Sequence, residues 1–279
     1  MRRVELLVAA GALVALAGAC KRDLATATAD GGDARAPPEP MRGNVSASEA
    51  WVTHRWTFAL GEVALTIEDA RMSTRLDEVL ERASAELVVN AGFFDPEGKP
   101  VGLSVSGGRV LSPPSRTMSG GVLSVEGGVG SLAPTEGFEL PSPIPDFAVQ
   151  CRPRLVVDRI VNIRSDDGVR AERTALCLRD AGSTLDVVLS RPALGAPAPT
   201  LFELATSLAA FGCDQALNLD GGPSTGAAVR GSWGVELVAP RAGVRQAVAV
   251  RRVTRSVPPK PPDTTAPTRS ATPPARTPP

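Results

Sequence analysis

The sequence predicts an α+β fold: a mixed, largely antiparallel sheet carrying two or three helices in a single domain. Three observations point there. Short apolar, β-branched runs recur along the chain, several separated by the glycine pairs that suit tight turns. Only two stretches place apolar residues at helical spacing. One of those helical stretches leads straight into a strand, and this return, with the hairpins, indicates a mixed α+β domain.

Taken in order, Arg55 to Leu60 and Val63 to Glu68 are apolar-rich runs joined at Gly61-Glu62, which predicts a hairpin. Leu76, Val79, Leu80 and Ala83 then fall on one helical face, with Ser73 or Thr74 placed to cap its start. Leu87-Val88-Val89 is a short buried strand running into Asn90. Leu103 to Ser106 and Arg109 to Leu111 flank Gly107-Gly108, a second hairpin. Leu155 to Val157 and Thr174 to Leu178 continue as strands, the latter turning at Asp180-Ala181-Gly182 into Leu185 to Leu189.

The best-marked element is the next helix. Thr200 and Glu203 have the spacing of a capping box, Leu201, Leu204, Ala205 and Leu208 make the apolar face, and Gly212 supplies the stop. It leads into Ala216-Leu217-Asn218-Leu219, then Asp220-Gly221-Gly222-Pro223-Ser224-Thr225. The last strand is Ala247 to Val253.

With 279 residues, 43% of them hydrophobic, the chain can bury a core for one large domain. Lys+Arg and Asp+Glu both number 30, so there is no basic footprint and no nucleic-acid partner is expected. The chain has one histidine, His54. That excludes a His-rich metal site, and any Ser-His or Cys-His pair would have to use it.

The two ends read differently from the middle. Arg2 and Arg3, the apolar run Leu6 to Leu16, and Ala17-Gly18-Ala19 before Cys20 make a targeting segment over residues 1–20. It resembles a bacterial lipobox, with Ala17 where Leu is usual, and Cys20 is the expected lipidation site. A plain secretory signal is the alternative. Lys21 after the cysteine favours the outer membrane, so the expected location is the bacterial cell envelope, lipid-anchored. Residues 21–48 are polar and rich in Ala, Asp, Pro and Gly, a flexible tether. Residues 49–255 are the domain. Residues 256–279 hold nine prolines and read as a disordered tail.

Three cysteines remain, Cys151, Cys177 and Cys213, in a compartment that permits disulfides. The odd count leaves at least one free. Cys151 and Cys177 each lie at or near a strand and are the candidate pair, with the unpaired state equally open. Cys213 reads as a buried apolar residue.

Two segments break the strand pattern alike: a buried strand ends abruptly in polar residues and glycines. They are Asn90-Ala91-Gly92-Phe93-Phe94-Asp95-Pro96-Glu97-Gly98 and Asn218 to Thr225. Glycine loops after strand ends let a ligand approach the backbone, although each alone also fits a tight Asx turn. Together with Pro100-Val101-Gly102-Leu103, Gln150-Cys151-Arg152-Pro153-Arg154-Leu155-Val156, Arg173-Thr174-Ala175 and Gly212-Cys213, they are similar to segments of the bacterial phosphodiester glycosidase family, in the family's order. The resemblance spans about residues 51–252.

That resemblance implies a single catalytic-type domain hydrolysing the glycosidic bond of a sugar-1-phosphodiester or phosphorylated glycan. Its products would be free sugar and a phosphomonoester. A phosphate is a weakly basic leaving group, so the site has to bind negative charge more than to supply a strong acid. Asp220 is the candidate base or nucleophile. Asn90 and Asp95 are expected to position sugar or water. Arg173 with the Gly221-Gly222 backbone and Ser224 are expected to hold the phosphate, and Asn218, Thr225 and Gly92 complete the candidate substrate site. Glu97 is a second carboxylate near in sequence and reads as an exposed turn residue.

Four departures from the family pattern matter. Ala91 replaces a Gly, Arg152 stands where the family has Gly, Cys177 replaces a Gly, and Pro223 replaces the third Gly of the signature, deleting a backbone donor. A non-catalytic envelope lipoprotein that binds glycan or phosphoglycan is therefore the alternative reading. A serine hydrolase is disfavoured, because His54 lies outside both loops and Ser224 is not in a Gly-x-Ser-x-Gly elbow. No cofactor and no metal site are expected. Asp95, Asp220 and the asparagines have the hard oxygens that Ca²⁺ or Mg²⁺ take, but no spacing demands an ion.

Overall fold

The computed structural model describes residues 51–253 and, before them, the strand Asn44–Ala47. The targeting segment, Cys20, most of the tether and the proline-rich tail lie outside the described residues. In chain order the strands are β1 (Asn44–Ala47), β2 (Trp51–Ala59), β3 (Val63–Ser73), β4 (Leu87–Asn90), β5 (Ser104–Ser106), β6 (Arg109–Ser112), β7 (Gly121–Glu126), β8 (Val129–Pro134) and β9 (Phe147–Cys151). They continue as β10 (Arg154–Val157), β11 (Ile160–Val161), β12 (Arg173–Arg179), β13 (Thr184–Pro192), β14 (Gln215–Asn218), β15 (Ala227–Gly231), β16 (Gly234–Val238) and β17 (Val244–Arg252). Two helices, α1 (Leu76–Arg82) and α2 (Leu201–Phe211), interrupt them.

The strands make three sheets where the sequence predicts one mixed sheet. The orders are β1-β2-β13-β12-β14-β10-β11, β16-β15-β4-β17-β3 and β6-β5-β9-β7-β8. Every pairing within them is antiparallel. One apolar core joins all three. The seven-stranded sheet contributes Trp56, Leu176 and Val187, the second sheet Ile67, Val89 and Val248, and the third Leu123 and Val149.

The predicted hairpin at Gly61-Glu62 does not form. β2 pairs with β1 and β13, whereas β3 pairs with β17. A single 3-10 turn, Leu60–Glu62, passes the chain from one sheet to another. Two apolar runs around a short turn look the same in sequence whether they pair or part. The strand β1 likewise lies in what the sequence assigns to the tether, and it is an edge strand on β2. The hairpin at Gly107-Gly108 and the return at Asp180–Gly182 form as expected.

The helices cover outer faces. α1 packs Leu76, Val79 and Leu80 against Val88, Ala228, Ala247 and Ala249. Its N-cap is Arg75, one residue beyond the expected Thr74, and the Ser73 hydroxyl accepts from the Arg75 N–H. α2 starts with the capping box: the Thr200 hydroxyl accepts from the Glu203 N–H, and Glu203 accepts from the Thr200 N–H. Such a cap is worth about 1 kcal/mol. Gly212 ends the helix in the left-handed region, at φ 100°. Leu204, Ala205 and Leu208 pack on Val156, Ala175 and Ala216, and burial of each leucine contributes about 1.5–3 kcal/mol. At the far end Phe211 sits under the guanidinium of Arg55, 3.5 Å from the ring centre. Together these contacts fix where the start of α2 stands.

The expected Cys151–Cys177 bridge is replaced by Cys177–Cys213, whose Cα atoms are 5.6 Å apart. The alternation of β12 explains it. Cys177 points to the α2 side with Cys213, while Leu176 and Leu178 point into the central core. Cys151 belongs to that central core, on the opposite face of the sheet, and it is free and buried.

Candidate active site

The two glycine-bearing strand ends meet although they belong to different sheets. β4 delivers Asn90, fully buried, and β14 delivers Asn218 and then Asp220. The Asn90 amide is the junction. Its Nδ2 donates to the Asp220 carbonyl at 2.6 Å, and its Oδ1 accepts from the Thr174 hydroxyl at 2.6 Å and the Gly226 N–H at 3.2 Å. The Asp220 N–H in turn donates to the Ala91 carbonyl at 3.1 Å. Asn90 is thus a positioning residue, and its amide faces these partners instead of the sugar or water expected for it.

The Asp220 carboxylate is half-buried. It accepts from the Gly221 N–H at 2.9 Å and is hydrogen-bonded by the Ser224 side chain. Burial pushes its pKa above the ordinary aspartate value, and the bonds from Ser224 and Gly221 only partly oppose that.

The signature loop does not offer the backbone phosphate cradle that the sequence suggests. The Gly221 N–H is taken by Asp220 and the Gly222 N–H by the Glu172 carbonyl at 2.7 Å. The Ser224 and Thr225 N–H groups bond back to Gly221 and Gly222. The glycines serve geometry: a Cβ on Gly221 would stand 2.9 Å from the Glu172 carbonyl oxygen, and Gly222 has φ +58°. Pro223 is exposed and turned outward, its carbonyl accepting from the N–H groups of Arg241 and Ala242. Pro223 does not line the cavity onto which Asp220 opens. Ser224 holds Asp220, and Thr225 is fully buried outside the cavity.

Asp220 opens onto a cavity of about 630 Å³. From the seven-stranded sheet and its connections come Arg154, Arg173, Asn218, Asp220, Gly221 and, at the start of α2, Leu201. From the connections of the third sheet come Ser119, Gly120, Glu136 and Arg152, and Phe93 follows β4. Arg173 donates from Nη2 to the Val169 carbonyl at 3.0 Å, leaving its Nε buried without a partner. Burial lowers its pKa from the ordinary arginine value, yet a guanidinium keeps its charge in such settings.

Ala175 lies opposite Asn218 in the β12–β14 register, so Arg173 is the diagonal neighbour of Asn218 on the same face. Asn218 gives both amide protons to main-chain carbonyls, to Arg152 at 2.9 Å and Leu219 at 2.6 Å. Its Oδ1 is buried and unpartnered, an acceptor and therefore unsuited to a phosphate oxygen.

Other expected residues fall elsewhere. Asp95 closes its own turn, accepting from the Lys99 N–H at 2.7 Å, and it does not line the cavity. Gly92 lies against the Gln150 backbone, and Glu97 is exposed in the turn. Ala91 does not have positive φ, so its replacement of glycine carries no strain. His54 lines a separate cavity of about 520 Å³ with Glu172 and Arg191. Among the described residues no three carboxylate, thiol or imidazole groups converge as metal ligands.

Sequence reasoning missed Arg152, Arg154, Phe93 and Gln150 as contributors. Gln150 accepts from the Leu103 and Ser115 N–H groups and donates to the Ser115 carbonyl, fixing the loop before Ser119. The signal available for it was a lone polar residue inside an apolar strand. For the arginines it was two cations flanking a proline between two apolar strands, a connection the sequence marks without showing where it faces.

Comparison with known proteins agrees with this architecture. The family model described as phosphodiester glycosidase matches residues 83–257. No curated protein matches the chain. Among solved structures, the catalytic domain of zebrafish N-acetylglucosamine-1-phosphodiester alpha-N-acetylglucosaminidase, auto-inhibited by its pro-peptide, superposes with a TM-score of 0.62 at 14% identity, covering 78% of this chain and 85% of that one. A protein from Synechocystis gives 0.55 at 16% identity, covering 75% of this chain, which spans only 61% of that one. An exported-type protein from Burkholderia pseudomallei gives 0.53 at 12%, with 72% and 74% covered. At such identities the structures speak for the fold, and the family match, running through α2, β14 and the Asp220 loop, speaks for descent: this chain belongs to the phosphodiester glycosidase family.

Proposed function

We propose that the chain hydrolyses the glycosidic bond of a sugar-1-phosphodiester in the bacterial cell envelope, releasing free sugar and a phosphomonoester. The observation that carries this reading is one cavity presenting both the Asp220 carboxylate and the Arg173 guanidinium. Arg173 takes the phosphate and stabilises the charge that builds on it as the bond breaks. Asp220 supplies an electron pair, either to the anomeric carbon, forming a glycosyl ester that water then hydrolyses to free sugar and carboxylate, or to a proton of the attacking water. In either route the C–O bond pair leaves with the phosphate. Phe93 and Leu201 give apolar walls suited to a sugar face.

No His or Tyr lines this cavity, which suits a leaving group that needs little protonation. The lipobox-like run ending at Cys20 supports a lipid-anchored place, on the outer membrane. The test is sugar release from a panel of sugar-1-phosphate diesters by the detergent-solubilised full chain beside Asp220→Asn. Release by the wild type, falling by about 10³-fold or more in the variant, is the expected result. Binding of the panel without release by either protein would replace this reading with a non-catalytic glycan binder.

A further inference from the structure

We infer that the substrate carries a second anionic group on its aglycone, and that Arg152 and Arg154 hold it; this rests on the cavity being a sugar-1-phosphodiester site. Arg152 and Pro153 connect β9 to Arg154, the first residue of β10, and both arginines line the cavity that Arg173 enters from β12. Both are kept at the cavity. The Arg152 guanidinium lies 6.0 Å from the centre of the Phe93 ring, and the Arg154 stem packs where Gly121 lacks a side chain.

Among the described residues none of these three guanidinium groups has an ion-pair partner, so the positive charge that lines the cavity is not neutralised by the protein. The cavity has two carboxylates. Asp220 is bonded by Gly221 and Ser224 and faces the reacting bond, and Glu136 is exposed. A phosphodiester has one negative charge and two free oxygens, which one guanidinium fork satisfies. Arg173 fills that role, and two further cations line the same cavity. A second anion would gain charge-assisted contacts from them.

Two readouts on the full chain test this. The first is calorimetric binding of inorganic pyrophosphate against orthophosphate at one pH and ionic strength. Pyrophosphate is expected to bind about tenfold or more tightly, with Arg152→Gln and Arg154→Gln each cutting the margin to about threefold or less. Equal affinities, or a margin that neither substitution changes, overturns the inference. The second is the ratio of kcat/KM among matched diesters with ethyl, glycerate and glycerol-phosphate aglycones. An advantage of about tenfold for a charged aglycone is expected, and the better of the two identifies carboxylate or phosphate as the anion. A ratio near one overturns it. No turnover on any diester, with the pyrophosphate margin intact, would remove the hydrolase reading and leave the two-anion site standing.

Discussion

The Asn90 side-chain amide donates to the Asp220 main-chain carbonyl across 2.6 Å, joining the end of β4 to a loop carried by another sheet. The same amide accepts from Thr174 and Gly226, so one fully buried group ties three segments. Asn90→Leu strands a carbonyl, a hydroxyl and an N–H. Each stranded group costs about 1–3 kcal/mol, so a loss of about 3 kcal/mol or more in unfolding free energy is expected from urea titration. A loss below about 1 kcal/mol would show that the junction does not hold the sheets together.

Asp220→Asn should gain stability while losing activity. The folded state raises the Asp220 pKa above its unfolded value near 3.8, so the fold favours the protonated form. Below pH 3.8 the wild type and the variant should melt alike. As pH rises through the raised folded pKa the wild type pays for a half-buried charge that the variant lacks, and the melting temperatures separate. Calorimetry from pH 3 to 8 measures the gap. The acid limb of kcat should likewise have its midpoint above 3.8.

Arg173→Lys keeps a charge but not the fork. kcat/KM on a sugar-1-phosphodiester is expected to drop by about 10²-fold, and Arg173→Gln by about 10³-fold. Steady-state kinetics that showed the lysine variant unimpaired would argue for a structural role at the Val169 carbonyl.

Pro223→Gly should leave kcat/KM within about threefold of wild type and lower stability by about 1 kcal/mol, because proline mainly restricts the unfolded chain at this exposed turn. A gain of about tenfold or more in rate would restore the idea that a lost N–H limits phosphate binding.

Replacing Cys177 and Cys213 together by serine opens a link between positions 36 residues apart and should cost about 2–4 kcal/mol. In the folded protein Cys151 should resist alkylation, since burial pushes its thiol up to about 12. Urea titration of the double variant reads the first point, and mass spectrometry after labelling with and without denaturant reads the second.

Local chemistry was the legible part. The α2 capping box and glycine stop, the Gly107-Gly108 hairpin and the Asp180–Gly182 return are written in adjacent residues, and they form. Asp220 and Arg173 were legible through motifs, and the cavity brings them together. What could not be read were choices between distant partners. Nothing near Gly61 says that β2 and β3 part company, and nothing near Cys177 says that the sheet separates it from Cys151. Asp95 misled because an Asx turn and a ligand loop share the same residues.

The cavity walls come from two sources with different duties. Asp220 and Arg173, the proposed reacting groups, stand on the seven-stranded sheet, pinned to its neighbour through Asn90, while Ser119, Gly120, Glu136 and Arg152 stand on connections of the third sheet. If the proposed function holds, Ser119, Gly120, Glu136 and Arg152 can change by loop exchange on the third sheet, whereas Arg154 shares a sheet with Asp220 and Arg173. Retargeting of such a site is then expected to begin with the third-sheet loops.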